Sequence, residues 1–323
     1  MGAKRHCEVG VDCVMKNAYK LECICNLEPP EMHLTVILLV ALLGHSLAAP
    51  TKPTYDENLA RNKFYPMAAA AYSMDPAPCV LNTFANASMF RQITTPCDQD
   101  AKDDSCSGFT AVSHSEKAII LAFRGSEGAI QIFIEGLEAI ASKKLPYVGG
   151  GTVSRYFLNA FNDLWKKGIK DDFLSLRNRY HNYEVWVTGH SLGGAVASLA
   201  AGYLVKSGYA KDSELKLITF GQPRTGDEVF AKNHDSEISY TFRVVHKHDS
   251  VPHLPPREME GYFHHQYEVW YNNRMEVGAS YKVCGDDSEK CSDSQIPDFF
   301  GSDEHTLYFG IKTDQLAEQD CKR

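Results

Sequence analysis

The sequence predicts an α/β fold in which a mostly parallel central sheet is covered by helices on both faces, and three observations carry that reading. Short apolar runs alternate with amphipathic or Ala-rich stretches, the pattern that strands joined by crossover helices produce. Some runs are apolar at every position rather than every second one, as strands buried on both faces must be. The 323 residues are 44% hydrophobic and 11% aromatic, enough to close a substantial core.

The elements follow in order. Glu57 to Tyr72 sets Leu59, Phe64 and Met67 to Ala71 among polar residues, which predicts a helix with an Ala-rich end. From there to about Ser115 the chain reads as loops. Ala118 to Phe123 (AIILAF) is a core strand by its unbroken apolar run between Lys117 and Arg124-Gly125. Tyr156 to Leu176 spaces Phe157, Leu158, Phe161, Leu164, Trp165, Ile169 and Phe173 at three- and four-residue intervals, an amphipathic helix with a break expected at Gly168. Tyr183 to Thr188 is the next strand. Gly194 to Leu204, rich in Ala and Leu, is a helix whose small residues allow close approach to a flat surface. Leu215 to Phe220, Tyr240 to Val245 and Gln266 to Tyr271 are further strands. No internal repeat, coiled coil or low-complexity tract is present, and residues 50–323 read as one domain.

Charge and cysteines narrow the class. A formal net charge of −8 without a cluster of Lys and Arg argues against nucleic-acid binding and gives no pull toward anionic lipid. Ten cysteines lack the paired short spacings of a zinc site. Leu34 to Leu43 is an apolar run of the length of a signal-peptide core, followed by the small residues of Ser46-Leu47-Ala48-Ala49, and is too short to span a membrane. Residues 32–49 are therefore expected to be a signal peptide and residues 1–31 an upstream extension, with translation starting at Met32 despite the missing basic residues there. Removing residues 1–49 takes away four basic and five acidic residues, so the net charge moves from −8 to −7, and leaves six cysteines: Cys79, Cys97, Cys106, Cys284, Cys291 and Cys321. An exported chain is expected to pair them, and the sequon Asn86-Ala87-Ser88 is a candidate glycosylation site.

The chemistry centres on Gly189-His190-Ser191-Leu192-Gly193, a G-x-S-x-G placed after a predicted strand and before a predicted helix, which is the context of the nucleophile elbow of the α/β-hydrolase fold. Glycines on either side let a strained serine stand exposed at the tip of the turn, and the helix N-terminus favours developing negative charge. A serine needs a base, and the base a carboxylate, in the chain order Ser, acid, His. The candidate acids include Asp227 and Asp249, and the candidate bases His246, His248, His253, His264, His265 and His305. Spacing alone does not choose among them. Asp249 follows a predicted strand and precedes Pro252 and Pro255-Pro256, on a loop where a sheet's C-terminal edge belongs. The N–H of Leu192, directly after the nucleophile, is one oxyanion donor by geometry.

Four segments in this order are similar to successive motifs of the fungal-type (class three) lipases: Gly189 to Ala195 (GHSLGGA), Gly221 to Asp227 (GQPRTGD), Asp249 to Pro256 (DSVPHLPP) and His305 to Gly310 (HTLYFG). The resemblance implies Ser191 as nucleophile, Asp249 as triad acid and His305 as base. It leaves His190 and His253 inside motifs but off the base position, and His246, His248, His264 and His265 as loop or surface residues. Ala122 to Ser126 resembles the segment ending the family's oxyanion strand, which makes Ser126 the second donor. The following stretch, Ser126 to Leu137, falls where these lipases carry a mobile lid; Ile130, Ile132, Phe133, Ile134 and Leu137 would form its apolar face. Here Phe133 stands where relatives have tryptophan, and Val153-Ser154-Arg155-Tyr156-Phe157 where they show Val-His-x-Gly-Phe. The resemblance also implies the disulfides Cys79–Cys321 and Cys284–Cys291, which leaves Cys97 with Cys106. In the chain-entropy account the first, closing so long a loop, stabilises by about 4–5 kcal/mol.

The implied activity is hydrolysis of carboxylic esters, most of all acylglycerols at an interface, in a secreted enzyme that needs no metal or organic cofactor. Lipid would be met by transient surface contact, without a transmembrane anchor. Esterases of soluble or aromatic esters and phospholipases are the rival enzymes, and a non-catalytic lipid-binding protein the rival from another class. A metal hydrolase rests only on His246-x-His248 and His264-His265, without a third spaced ligand.

Overall fold

The computed structural model describes residues 11–17, 20–25, 52–98, 101–126, 143–258, 261–297 and 303–322. Two compact units divide the chain, residues 1–51 and 52–323. In the first, β1 (Val11–Asn17) and β2 (Lys20–Cys25) form an antiparallel hairpin, structure that the sequence reading of residues 1–31 did not anticipate. The expected signal peptide lies outside the described residues.

The second unit begins with α1, which runs from Glu57–Leu59 through a π-helical stretch, Ala60–Phe64, into Tyr65–Ala70. The Asp56 side chain caps it by accepting the N–H of Leu59 at 2.9 Å. α2 (Ala77–Thr83) follows, then β3 (Ala87–Asp98) and β4 (Ala101–Ser113), a long antiparallel hairpin where the sequence had read as loops. β3 is an edge strand, and a register shift between Met89 and Arg91 breaks its alternation of apolar and polar residues. That slip hides the period-2 signal.

Then come β5 (Ala118–Phe123), β6 (Lys144–Pro146), β7 (Thr152–Ser154), α3 (Arg155–Leu164) and α4 (Lys170–Arg179). Between α3 and α4 the chain breaks at Gly168, with φ of 149°, the glycine at which the sequence pattern expected it. β8 (Glu184–His190), α5 (Leu192–Lys206) and β9 (Leu215–Phe220) come next. After them stand β10 (Gly226–Asp227), α6 (Glu228–Glu237), β11 (Thr241–His246), β12 (Tyr262–Phe263), β13 (Glu268–Tyr271) and β14 (Lys282–Cys284). The chain ends in α7 (Asp303–Thr306), a small hairpin of β15 (Leu307–Tyr308) with β16 (Ile311–Lys312), and α8 (Thr313–Glu318).

The main sheet has the order β14-β13-β11-β9-β8-β5-β4-β3. Its five central strands, β13, β11, β9, β8 and β5, pair in parallel, and the antiparallel strands lie at the edges. β5 shows why its run is continuous. Ile119, Leu121 and Phe123 enter the core under α3, α4 and α5, while Ala118, Ile120 and Ala122 enter the opposite core with α1 and α8. Both faces are dry, so no position is left for a polar residue. A smaller four-stranded sheet, β12-β10-β7-β6, stands apart from it in pairing. Disulfides join Cys79 to Cys321, Cys97 to Cys106 and Cys284 to Cys291.

Candidate active site

Three segments that leave the C-terminal ends of parallel strands build the site: β5 runs into Arg124-Gly125-Ser126, β8 into Ser191, and β11 into Asp249, as open α/β sheets place their ligand crevices. Ser191 joins β8 to α5 with φ of 58° and ψ of −132°, a conformation that costs a non-glycine residue roughly 1–3 kcal/mol. Its N–H donates to Phe220 O at 2.9 Å, which ties the turn to β9. A Cβ at Gly193 would lie 2.2 Å from Phe123 O, so only glycine lets α5 start this close to β5. Leu192 is the first residue of α5, and its N–H belongs to the donors that a helix leaves without an internal carbonyl. A Cβ at Gly125 would sit 3.0 Å from Ser191 Cβ, which places the exit of β5, with half-buried Ser126 next in line, against the serine.

His305, on α7, and Asp249 lie 56 residues apart in sequence and meet in a buried contact. His305 Nδ1 lies 2.9 Å from each carboxylate oxygen of Asp249, so Nδ1 carries the proton and donates. Asp249 also accepts the N–H of Val251 at 3.0 Å and the O–H of Tyr308 at 3.0 Å. Burial alone would raise its pKa; the His305 ring and these donors outweigh burial and hold it below the ordinary carboxylate range. With Nδ1 occupied, His305 Nε2 keeps its lone pair, and this buried atom has no hydrogen-bond partner among the described residues. Gly221 makes room for the pair: its φ is 57°, and a Cβ there would lie 2.8 Å from the His305 ring and 2.9 Å from Asp249.

The other candidates take different places. Asp227 caps α6, accepting from Phe230 N–H at 2.8 Å and from the Thr152 N–H and O–H, the donors that lower its pKa against burial. His253 Nδ1 lies 2.8 Å from Asp293. His248 is half-buried; His246 lies in β11, and His264 and His265 lie in the loop between β12 and β13, but none of the three is at the surface: all are buried, and burial pushes the pKa of each down. His246 ends β11 with Nε2 2.9 Å from Asn273 O and Nδ1 3.2 Å from the carbonyl of Glu304, directly before the base position. His264 Nε2 donates to Pro252 O at 2.7 Å. His265 stacks on His234 at 3.9 Å, and among the described residues its ring, His234 and Asp235 are the one trio whose ligand atoms lie within 4.8 Å of one another. His265 Nε2 is already faced by Ser198 Oγ and the Gln222 amide, both at 3.0 Å.

Two further motif residues support the acid, and spacing gives no sign of either. Tyr308 holds the acid. Arg224, 3% exposed, donates to the carbonyls of His253 at 2.6 Å and Pro255 at 3.1 Å and pairs with Asp287, so it clamps the loop behind Asp249. The lid candidates Ile130, Ile132, Phe133, Ile134 and Leu137 lie outside the described residues. No helix among the described residues is long and apolar enough to cross a membrane.

A parallel sheet with a strained serine at the end of a central strand defines the class of the α/β-hydrolases. The sequence profile of the family described as "Lipase (class 3)" matches residues 120–259. A lipase of Caenorhabditis elegans is 32% identical over 328 residues, covering 91% of each chain. The Rhizomucor miehei lipase is 37% identical over 203 residues, covering 62% of this chain and 54% of its own. The solved Rhizomucor miehei triacylglyceride lipase superposes with a TM-score of 0.68 at 28% identity, covering 81% of this chain and 98% of the other. This chain belongs to the class 3 lipase family. It is a carboxylic ester hydrolase.

Proposed function

We propose that this lipase hydrolyses acylglycerols through an acyl-enzyme, with Ser191 as nucleophile, His305 as base, Asp249 as its orienting acid, and the backbone N–H groups of Leu192 and Ser126 as oxyanion donors. The observation that carries the reading is the unpartnered, buried Nε2 of His305, whose other nitrogen is fixed by Asp249. Ser191 Oγ attacks the ester carbonyl while Nε2 takes its proton; the oxyanion collapses, the alcohol leaves with that proton, and water repeats the sequence to release the acid. The N-terminus of α5 adds its partial positive charge where the oxyanion forms. The acylglycerol class is supported by relatives: a triacylglyceride lipase among the solved structures, and a secreted mono- and diacylglycerol lipase of Fusarium solani, 35% identical over 162 residues.

The same relative, the apolar run Leu34 to Leu43 and the three disulfides support a secreted protein that meets lipid at a surface, with exposed Asn86 as its glycan site. Activity on p-nitrophenyl esters from short to long acyl chains, together with tributyrin, tests the proposal against Ser191→Ala. Hydrolysis of tributyrin that steepens past its solubility limit and vanishes in Ser191→Ala is the expected result. Cleavage of short soluble esters alone would transfer the assignment to a soluble-ester hydrolase, and full activity in Ser191→Ala would overturn it.

A further inference from the structure

His190 precedes the nucleophile, is 2% exposed, and makes contacts that neither the acid nor the base explains. Its Nε2 lies 2.7 Å from the main-chain carbonyl of His305, and its Nδ1 lies 2.8 Å from the hydroxyl of Tyr72, at the end of the α1 region. The Tyr72 hydroxyl also packs against Gly125, at the exit of β5, where a Cβ would come within 2.1 Å of it. One imidazole therefore joins three segments: the strand end that leads to Ser126, the turn that carries Ser191, and the loop that carries His305.

The protons in this chain have one consistent arrangement. A carbonyl only accepts, so Nε2 of His190 carries the hydrogen and donates to His305 O. Nδ1 then has a lone pair, which takes the Tyr72 O–H. An imidazolium would lose that accepted bond and set a second N–H against the hydroxyl. Burial opposes that form as well, holding the His190 pKa down to about 3. Neutrality matters because the His190 and His305 rings lie 4.5 Å apart, and His305 becomes a cation when it takes the serine proton. A charged neighbour would oppose that step.

We infer that Tyr72 and His190 are a positioning pair that fixes the main chain of the base relative to the oxyanion strand. This rests on the assignment of Ser191 and His305 above. Tyr72→Phe removes one hydroxyl, leaves Nδ1 of His190 without its donor and keeps the ring packing in place. On a soluble p-nitrophenyl ester it is expected to lower kcat about tenfold, with KM and Tm unchanged. His190→Leu should lose about a hundredfold, His190→Gln should recover part of that through its amide N–H, and the double variant Tyr72→Phe/His190→Leu should be no worse than His190→Leu alone. Losses that multiply in the double variant, or that follow a fall in Tm, would make the two residues independent packing groups and overturn the pair. So would a Tyr72→Phe enzyme within twofold of wild type. Ser191→Ala, measured beside them, separates the two readings: inactive Ser191→Ala with unaffected Tyr72→Phe removes only the positioning pair, whereas active Ser191→Ala removes the triad beneath it.

Discussion

Asp249 and Asp235 titrate in opposite directions although both are carboxylates beside buried histidines. Asp249 receives three side-chain or main-chain partners as donors, and they overcome its complete burial. Asp235, half-buried on α6, accepts the N–H of Gln266 at 2.8 Å and faces the Asp286 carboxylate; burial lifts its pKa to about 7 even with Arg243 nearby. What separates the two is the number of donors aimed at the anion, and beside Asp249 a histidine that turns its second nitrogen, with an open lone pair, away from the carboxylate. Density of histidines and carboxylates does not by itself make a catalytic site.

The largest effects break this contrast at the Asp249 end. Ser191→Ala, His305→Ala and Asp249→Ala are each expected to lower kcat by about 10⁴ to 10⁶, with double variants little worse than single ones. Independent, multiplying losses in steady-state assays would show that the three do not work as a unit. Next comes the cost of keeping histidines neutral. His190 and His234 are held down to about 3 by burial, whereas an unfolded histidine titrates near 6.5, so the unfolded chain binds more protons between these values. Their contribution to stability is complete above about pH 6.5 and is lost as pH falls toward 3. Urea unfolding should therefore show roughly 3–5 kcal/mol lost between pH 7 and pH 4; a flat profile would mean these rings are solvated.

Asp235 gives a smaller term of opposite sign. Its folded pKa lies above the unfolded value near 3.9, so ionising it costs stability progressively from about pH 4 to pH 7. Asp235→Asn should stabilise by about 1 kcal/mol at pH 8, with the gain gone by pH 4, after allowance for the solvent that still reaches the group. An equal gain at both pH values would point to packing instead of charge. Smallest of all, His253→Ala and His248→Ala should keep kcat within about tenfold, because neither touches the reacting atoms. A loss like that of His305→Ala would reopen the choice of base.

The sequence made the buried strands plain and the half-exposed ones obscure. β5 and β9 begin and end where their apolar runs do, and Gly168 marked its own break, because both signals are local. β3 and β4 were lost because their pattern slips at the Met89/Arg91 irregularity and carries Pro96 at the edge. The serine was legible from its strand–turn–helix setting. The acid and base were not separable by spacing, since sheet order and not chain distance brings Asp249 to His305; the family motifs supplied that choice. Tyr72 carried no signal at all, being 118 residues from the ring it touches. His264 and His265 sit in an irregular loop, and His246 at the very end of a strand, so only their packing reveals that they are buried.

The Cys79–Cys321 bond spans 242 residues and so encloses nearly the whole catalytic unit in one covalent ring. A single cut by a protease at any exposed loop within that ring yields two polypeptides but still one molecule. A nick between Ser191 and His305 would leave nucleophile and base on different chains, tethered through sulfur. On a denaturing gel the nicked enzyme would run as one species until a thiol reductant parted it, so its proteolytic history is written only in the reduced lane.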